Sequence, residues 1–384
     1  QIPDDKLLAI EKSSAKRGLD FVDLSLLTDG LIAERAQGIT IDVAHIYFNT
    51  PSRKYIIADT PGHVEYTRNM ITGASTTDAA IVLIDARKGI LEQTKRHVFI
   101  AHLLQLKHMV VTVNKMDLVD FKESVFNSIC TEFNSLRKSI GFNGEVHFLP
   151  ISALKGEGVT QFMGYQPWFK GSSLLDVLES IPTKSETSNA TRFQVQHVLR
   201  PKSEEYPDYR GYAGNMLVGE VKVGHSVVNT RTAQEAKVLR LEKWSQEIDH
   251  AEKDLALTVH LDKDIDVRRG DFLSGHSEAP TMRKSINAHI CWLNDAPLNL
   301  QTTYLLQQGS SETKCKIKAI SKVMNLKNLS WEQPEEVLSN SIAKAEIQCA
   351  SPVLADPYNA GNKTGAFILI HPHTKLTVAA GFCL

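Results

Sequence analysis

The chain has 384 residues, and its 43 Lys and Arg against 44 Asp and Glu give a formal net charge of -1. This length predicts two or three domains, and the 42% of hydrophobic residues is ordinary for a globular protein. The balanced charge provides no extended basic surface, so we expect neither nucleic acid nor a membrane among the partners.

The cysteines and the apolar runs indicate the cellular compartment of the protein. Five cysteines, an odd number with no Cys-x-x-Cys pair, argue against a disulfide framework and against a metal framework held by cysteines. No apolar run reaches the length that spans a bilayer, and no signal peptide is visible at the given N-terminus. We therefore expect a cytoplasmic protein.

The chain before residue 42 contains one residue with a predicted role. A helix-like segment, Asp4–Lys12, leads into a loop that ends in Gly38-Ile39-Thr40-Ile41. A Thr40 hydroxyl in a mobile loop is suited to join the shell of a Mg²⁺ ion when a γ-phosphate is present. The alternative is that Thr40 is a β-branched residue that only opens the following strand.

From residue 41 to residue 183, strands rich in Ile, Val and Leu alternate with helical patterns. This alternation predicts an α/β domain over residues 1–183, with a mostly parallel sheet and helices on both faces. Ligands bind at the carboxyl ends of the strands in such sheets. The predicted strands are 42–49, 54–59, 79–85, 108–114 and 146–151, and the predicted helices are 63–74, 91–105, 122–138 and 173–181.

The segment Asp59-Thr60-Pro61-Gly62-His63 ends the second predicted strand. A buried strand that stops at an Asp and turns through Pro-Gly places a carboxylate and a free backbone N–H beside a phosphate. We predict that Asp59 serves Mg²⁺, that the Gly62 N–H contacts a γ-phosphate, and that His63 orients the attacking water. The alternatives are a simple turn at Asp59 and a helix N-terminal residue at His63.

A second motif, Asn114-Lys115-Met116-Asp117, follows the apolar run 109–113 and predicts a guanine site. A carboxylate accepts two hydrogen bonds, and guanine offers two donors, N1–H and the 2-amino group, on one edge. Adenine has no such pair there, so a buried Asp117 rejects it. The stem of Lys115 is suited to lie along the base plane, and Asn114 to tie the loop together.

A third motif, Ser152-Ala153-Leu154, follows the strand predicted at 146–151. Small residues allow the backbone N–H of Ala153 to approach the guanine O6 atom. Alone, this tripeptide has little weight. The order and strand-end placement of all three motifs together predict GTP and Mg²⁺ as ligands.

The composition changes at a polar linker near residues 181–190, after which short β-type runs broken by Gly and Asp replace the helical patterns. Gly214, Gly219 and Gly224 recur at intervals of five and suggest the turns and bends of a small barrel, although an ordinary hairpin also fits. We predict a β-barrel domain over 190–278 and another over 282–384.

These features resemble the translation-factor GTPases, and within them most closely the GTPase subunit of the two-subunit bacterial ATP sulfurylase. The resemblance implies a P-loop-type GTPase domain followed by two β-barrels. It rests on Asp59–His63 and Asn114–Asp117 together with the segments 29–31, 34–35, 37–43, 69–75, 84–89, 93–94 and 210–214.

One departure from this family concerns the phosphate loop. The expected Gly-x-x-x-x-Gly-Lys-Ser/Thr pattern, which should precede Gly38, is absent from the chain. Either the given chain omits the first strand and its loop, or the protein has lost its phosphate cradle. We favour omission of the loop from the given chain, because a protein that had lost it would have little reason to keep the residues that bind the base and Mg²⁺.

The resemblance implies a function in sulfate activation. GTP hydrolysis on this chain would drive formation of adenosine 5′-phosphosulfate and pyrophosphate from ATP and sulfate on a separate adenylyltransferase subunit. An adenylylsulfate kinase, fused after Leu384 or separate, is a further expected partner. The alternatives are an elongation-factor-like GTPase that binds tRNA and the ribosome, and a scaffold that binds no nucleotide. In residues 190–384 the lysines and arginines are dispersed among aspartates and glutamates, which weakens the elongation-factor hypothesis.

Overall fold

The structure is a computed structural model, and it describes residues 42–62, 67–75, 77–182, 190–201, 209–275, 280–358 and 364–384. The predicted helix Asp4–Lys12 and the site residues Thr40 and His63 lie outside the described residues. The chain divides into two compact units, Gln1–Thr183 with Leu326–Leu329, and Lys184–Asn325 with Ser330–Leu384.

The first unit contains a parallel three-stranded sheet and a separate antiparallel hairpin. The hairpin consists of β1 (Ala44–Asn49) and β2 (Lys54–Asp59). The sheet has the order β3 (Ala79–Asp85), β4 (His108–Asn114) and β5 (Glu145–Pro150). In the described part of this unit, the α-helices are α1 (Thr67–Ala74), α2 (Glu92–Leu103), α3 (Glu123–Ile140) and α4 (Leu174–Ser180).

The central strand β4 shows why this part of the sequence folds as a parallel sheet. Its residues from Met109 to Val113 are buried, as a strand covered on both faces requires. Both neighbours, β3 and β5, pair with it in parallel. The carboxyl ends of the three strands therefore lie at one edge of the sheet, where the predicted motifs begin.

The turn of the β1–β2 hairpin is attached to the end of α4. Arg53 Nη1 donates hydrogen bonds of 2.8 Å to the carbonyl oxygens of Leu178 and Ile181. Ser52 Oγ donates a further bond of 2.7 Å to Glu179 Oε1. Carbonyl groups in the last turn of a helix have no partner within the helix, so Arg53 satisfies groups that would otherwise need water.

The second unit consists of two closed six-stranded β-barrels. The strands in the first barrel region are β6 (Arg192–Leu199), β7 (Gly211–Val218), β8 (Glu220–Lys222), β9 (Ser226–Asn229), β10 (Glu235–Lys243), β11 (Gln246–Ile248), β12 (His250–Glu252), β13 (Ala256–Leu261) and β14 (Phe272–Gly275). The first barrel has the strand order β10, β13, β7, β6, β14, β9, and β9 pairs again with β10. β11 is appended to β10, and β8 and β12 form a separate two-stranded sheet.

The second barrel closes in the same way. Its strands are β15 (Met282–Trp292), β16 (Tyr304–Gln308), β17 (Ser311–Asn325), β18 (Ser330–Glu332), β19 (Ile342–Leu354), β20 (Ala366–Ile370) and β21 (Thr377–Cys383). They run in the order β16, β20, β21, β15, β19, β17, with β17 paired again with β16 and β18 appended to β17. The α/β domain followed by two barrels confirms the predicted fold.

Buried polar contacts join the two barrels within this unit. Gln194 Nε2, from the first barrel, donates a hydrogen bond of 3.2 Å to the carbonyl oxygen of Gln308 in the second. Arg192 Nε lies 3.3 Å from Asp356 Oδ2, and both side chains are largely buried. Because Gln194 is itself buried, its hydrogen bond satisfies a polar group that would be costly to leave alone.

Gly214 shows a close approach of two strands rather than a turn. It lies inside β7, opposite Val195, whereas Gly219 and Gly224 have positive φ angles of 66° and 85° outside the strands. A Cβ atom at Gly214 would overlap the carbonyl oxygen of Gln194. Only a residue without a side chain therefore lets β6 and β7 pair at this point.

We expect Gly214→Ala to lower the free energy of unfolding of the barrels by about 2 kcal/mol or more, because the backbone of β6 must move. Three of the four tryptophans, Trp244, Trp292 and Trp331, lie in this unit, so denaturant unfolding followed by fluorescence measures the change. The matched control is Gly275→Ala, where the nearest atom to the new Cβ is 3.9 Å away. Equal midpoints for the two variants would contradict the prediction.

Candidate functional site

The candidate site forms where β3, β4 and β5 end. Asp85, the last residue of β3, is the Cα partner of Asn114, the last residue of β4. Val113 is the partner of Pro150, which ends β5 two residues before Ser152. The register of the sheet therefore places the Asn114 and Ser152 motifs side by side, as the sequence predicts.

Asn114 joins the two loops that follow these strands. Its Oδ1 atom accepts a hydrogen bond of 2.7 Å from the Lys115 N–H and another of 3.0 Å from the Ala153 N–H. Lys115 has a φ angle of 63°, and a short 3₁₀ helix, Met116–Val119, begins directly after it. The predicted tying role of Asn114 thus corresponds to an observed pair of hydrogen bonds.

The Ala153 N–H differs from its predicted use in one respect. It is predicted to approach the guanine O6 atom, and in this structure it donates to Asn114. Leu154, the next residue, has 69% of its surface exposed at the same edge. Contact of Ala153 and Leu154 with a base stays a prediction.

Asp117 is held by Ser152. Ser152 Oγ donates a hydrogen bond of 2.7 Å to Asp117 Oδ1, and Ser152 itself is fully buried. Asp117 is half-buried. A buried hydroxyl that donates to one oxygen of a carboxylate restricts the orientation of that carboxylate. Ser152 therefore acts on Asp117, whereas the sequence only placed it in the base loop.

Asp59 and Gly62 lie at the end of the β1–β2 hairpin. Asp59 is the last residue of β2 and is half-buried. The turn then passes through a buried Pro61 to an exposed Gly62. The imidazole of His97, on α2, lies beside Gly62, because a Cβ atom on Gly62 would be 3.8 Å from His97 Cε1.

His97 has no role predicted from the sequence. Burial lowers the pKa of its imidazole, and a hydrogen bond to the Gly62 backbone partly opposes that shift. A neutral imidazole therefore supports the turn in which the γ-phosphate contact is predicted. No pattern in the sequence connects Gly62 with a residue on another helix.

Among the described residues, the structure contains no cluster of three or more His, Cys, Asp or Glu side chains that could hold a metal ion. None of the five cysteines, all of which lie in the described part of the chain, forms a disulfide bond. Within the same residues, no helix is long and apolar enough to span a bilayer.

Comparisons with known proteins agree with this geometry. The elongation factor Tu GTP-binding domain family matches residues 4–183, and the GTP-eEF1A C-terminal domain-like family matches residues 285–384. The chain is 41% identical to "Sulfate adenylyltransferase subunit 1" of Shewanella oneidensis over 388 residues, which cover 99% of this chain and 79% of that protein. It belongs to the sulfate adenylyltransferase subunit 1 family.

Other relatives support the same assignment. The subunit 1 protein of Aeromonas hydrophila is 41% identical over 99% of this chain and 80% of its own length. The "Bifunctional enzyme CysN/CysC" of Mycobacterium tuberculosis is 39% identical over all of this chain and 63% of its own length. The family and its GTP-binding domain confirm the predicted GTPase subunit and do not favour the elongation-factor alternative.

The site contains two further charged residues without a predicted role. Asp85 and Arg87 belong to the segment 84–89, which supports the family resemblance but has no predicted role in the site. Their side chains form an ion pair of 2.6 Å, and Asp85 also lies 3.1 Å from Lys115 Nζ. The signal that could have found Asp85 is its position at the end of a strand adjacent to β4.

Proposed function

We propose that this chain binds GTP at the carboxyl edge of its parallel sheet and hydrolyses it, and that hydrolysis drives the synthesis of adenosine 5′-phosphosulfate from ATP and sulfate on a partner subunit. The guanine site is supported by two hydrogen bonds between the loops that follow β4 and β5. The Ala153 N–H donates to Asn114, and Ser152 Oγ donates to Asp117. The coupling to sulfate rests on membership in the subunit 1 family.

Guanine recognition is assigned to Asp117. Its carboxylate would accept hydrogen bonds from N1–H and the 2-amino group, and Ser152 holds it in one orientation beforehand. Lys115 would cover the base plane with its stem. A base that lacks two adjacent donors would leave the carboxylate unpaired, which is the basis of selectivity for guanine.

The residues assigned to hydrolysis would lie at the γ-phosphate end of the nucleotide. The Gly62 N–H would contact the γ-phosphate, Thr40 would close over it, and His63 would orient water for in-line attack. Loss of the γ-phosphate would then release the segments that contain Thr40 and His63.

Mg²⁺ would be held by Asp59 and Thr40. A carboxylate and a hydroxyl suit this ion, which usually takes one or two protein carboxylates together with nucleotide phosphates. The Asp59 carboxylate at the end of β2 fits such a shared site. The bound ion would neutralise charge on the phosphates.

The proposed partner is an adenylyltransferase subunit in the cytoplasm. ATP and sulfate would react there to give adenosine 5′-phosphosulfate and pyrophosphate, a step that is unfavourable without a coupled reaction. An adenylylsulfate kinase would consume the product. The chain described here would supply the driving force and would leave sulfate binding to the partner.

The test is GTP hydrolysis by the full-length protein isolated together with its partner. We expect ATP plus sulfate to stimulate hydrolysis several-fold, and either compound alone to have little effect. Adenosine 5′-phosphosulfate should accumulate with GTP but not with a non-hydrolysable GTP analogue. Stimulation only by ribosomes or aminoacyl-tRNA would move the protein to translation, and unchanged hydrolysis with ATP plus sulfate would overturn the coupling.

A further inference from the structure

A cluster of three charged side chains, Asp85, Arg87 and Lys115, lies beside the predicted guanine site. Arg87 donates to the Asp85 carboxylate twice, from Nε to Oδ1 at 3.0 Å and from Nη2 to Oδ2 at 2.6 Å. Lys115 Nζ lies 3.1 Å from Asp85 Oδ2. One carboxylate thus holds two cations, and one of them is the lysine assigned to the base.

The backbone fixes the position of Asp85 within this cluster. Its Cα is paired with that of Asn114, and the Ala86 N–H donates a hydrogen bond of 2.9 Å to the Asn114 carbonyl oxygen. The Arg87 N–H also donates to Asp85 Oδ1, at 3.0 Å. The carboxylate is therefore anchored to β3 and β4, the strands that carry the base-binding loop.

The cluster differs from an ordinary surface ion pair. Isolated exposed pairs contribute little, because two flexible side chains must be ordered in water. Here the Asp85 side chain is only 16% exposed, and its contact with Arg87 is bidentate. The Arg87 guanidinium, supported by Lys115, holds the pKa of Asp85 well below its usual range, so the carboxylate stays ionised at every working pH.

The main effect of this arrangement is to reduce the conformational freedom of the Lys115 side chain. The side chain is 49% exposed, and a free lysine at that exposure samples many rotamers. A base that binds to a free lysine must order that lysine at the moment of binding. A lysine already held by an anchored carboxylate has lost that freedom in advance, which favours binding.

We propose that Asp85 is a positioning residue for guanine recognition, and that it holds the Lys115 ammonium so that the lysine stem is ready beside the base that Asp117 reads. Arg87 locks Asp85 in place. This role deepens the proposed function and rests on it, because Lys115 meets a base only if guanine binds at this edge.

The test is Asp85→Asn in the full-length protein, which removes the charge and keeps an oxygen for the Arg87 N–H. We expect the affinities for GDP and GTP to fall equally, by about tenfold through faster release, which is the scale of one charge-assisted hydrogen bond. The preference for GTP over ITP, whose base lacks the 2-amino group, should not change, since Asp117 and Ser152 are intact. Stopped-flow release of a fluorescent nucleotide measures the release rate. Displacement of the same nucleotide by GTP or by ITP measures the preference between the two.

Two further variants separate positioning from general damage. In a Lys115→Met background, Asp85→Asn should have no additional effect, because the ammonium that it holds is gone. The matched control is Asp120→Asn, which removes an 83% exposed carboxylate near Lys122 in the same loop and should leave release unchanged.

Three outcomes would overturn the proposal. They are unchanged release in Asp85→Asn, full additivity with Lys115→Met, and a loss of GTP preference over ITP in Asp85→Asn, which would mean that the whole loop has collapsed. Failure of the underlying site is recognised separately. If Asp117→Asn does not alter base preference, the guanine assignment itself is wrong, whatever Asp85→Asn does.

Discussion

Replacing Asp117 by Asn should reverse the base preference of the full-length protein from guanine to xanthine nucleotides. Guanine presents a 2-amino donor to this residue, whereas xanthine presents a carbonyl oxygen at the same place, and an amide offers the matching donor. Ser152 Oγ, which is 2.7 Å from Asp117 Oδ1, can donate to an amide oxygen as well, so the side chain should keep its orientation. We expect GTP affinity to fall on the order of 10³-fold, because polar groups in the site become unpaired.

The measurement is competition of GTP and XTP for the variant, followed by hydrolysis of each. Hydrolysis of XTP by Asp117→Asn should approach that of GTP by the unaltered protein, because the residues assigned to the phosphates do not change. Asp120→Asn, an exposed carboxylate three residues further on, serves as the control and should keep its preference for GTP. Retained selectivity for guanine in Asp117→Asn would show that another residue reads the base.

The sequence predicted the bounds of three strands of the first unit closely. The strands expected at 54–59, 79–85 and 108–114 have the bounds of β2, β3 and β4. These runs are short, apolar and end at polar residues, so the pattern defines both ends. The expected place of the strands at 42–49 and 54–59 in the parallel sheet is wrong, because β2 pairs antiparallel with β1 in a separate hairpin. The helix expected at 122–138 runs instead from Glu123 to Ile140, because Gly141 adopts a φ angle of 81° and provides the stop.

Residues whose role depends on a distant neighbour were not predicted. Asp85 acts on Lys115 because two strands pair in parallel with a particular register. His97 lies beside Gly62 because α2 packs near the end of the hairpin. Sequence patterns report local periodicity, whereas these contacts come from packing between separate elements. The motif residues themselves were found because strand ends in α/β folds share one edge.

The barrels illustrate the same limit on a larger scale. β6 (Arg192–Leu199) is one of the short β-type runs from which the sequence predicts the barrels. The closure of each barrel, by β9 with β10 and by β16 with β17, is a pairing that no single run specifies. Gly214 was expected at a turn or bend, and only the paired strands show that it allows the backbones of β6 and β7 to meet.

Replacing His63 by Ala should lower the rate of GTP hydrolysis roughly 10²-fold or more and leave GTP affinity within a few-fold, the typical effect of losing a group that orients water or handles its proton. His63 lies outside the described residues and directly follows the exposed Gly62 in the sequence.

The split between rate and affinity decides the role of His63. Single-turnover hydrolysis and equilibrium binding of GTP measure the two separately. His63→Gln should recover part of the lost rate, because a Gln orients the attacking water in other GTPases. His45→Ala, which removes an exposed histidine from β1, is the control and should change neither quantity. An equal loss of rate and affinity in His63→Ala would assign His63 to the structure of the turn, and the positioning of water would then belong to another residue.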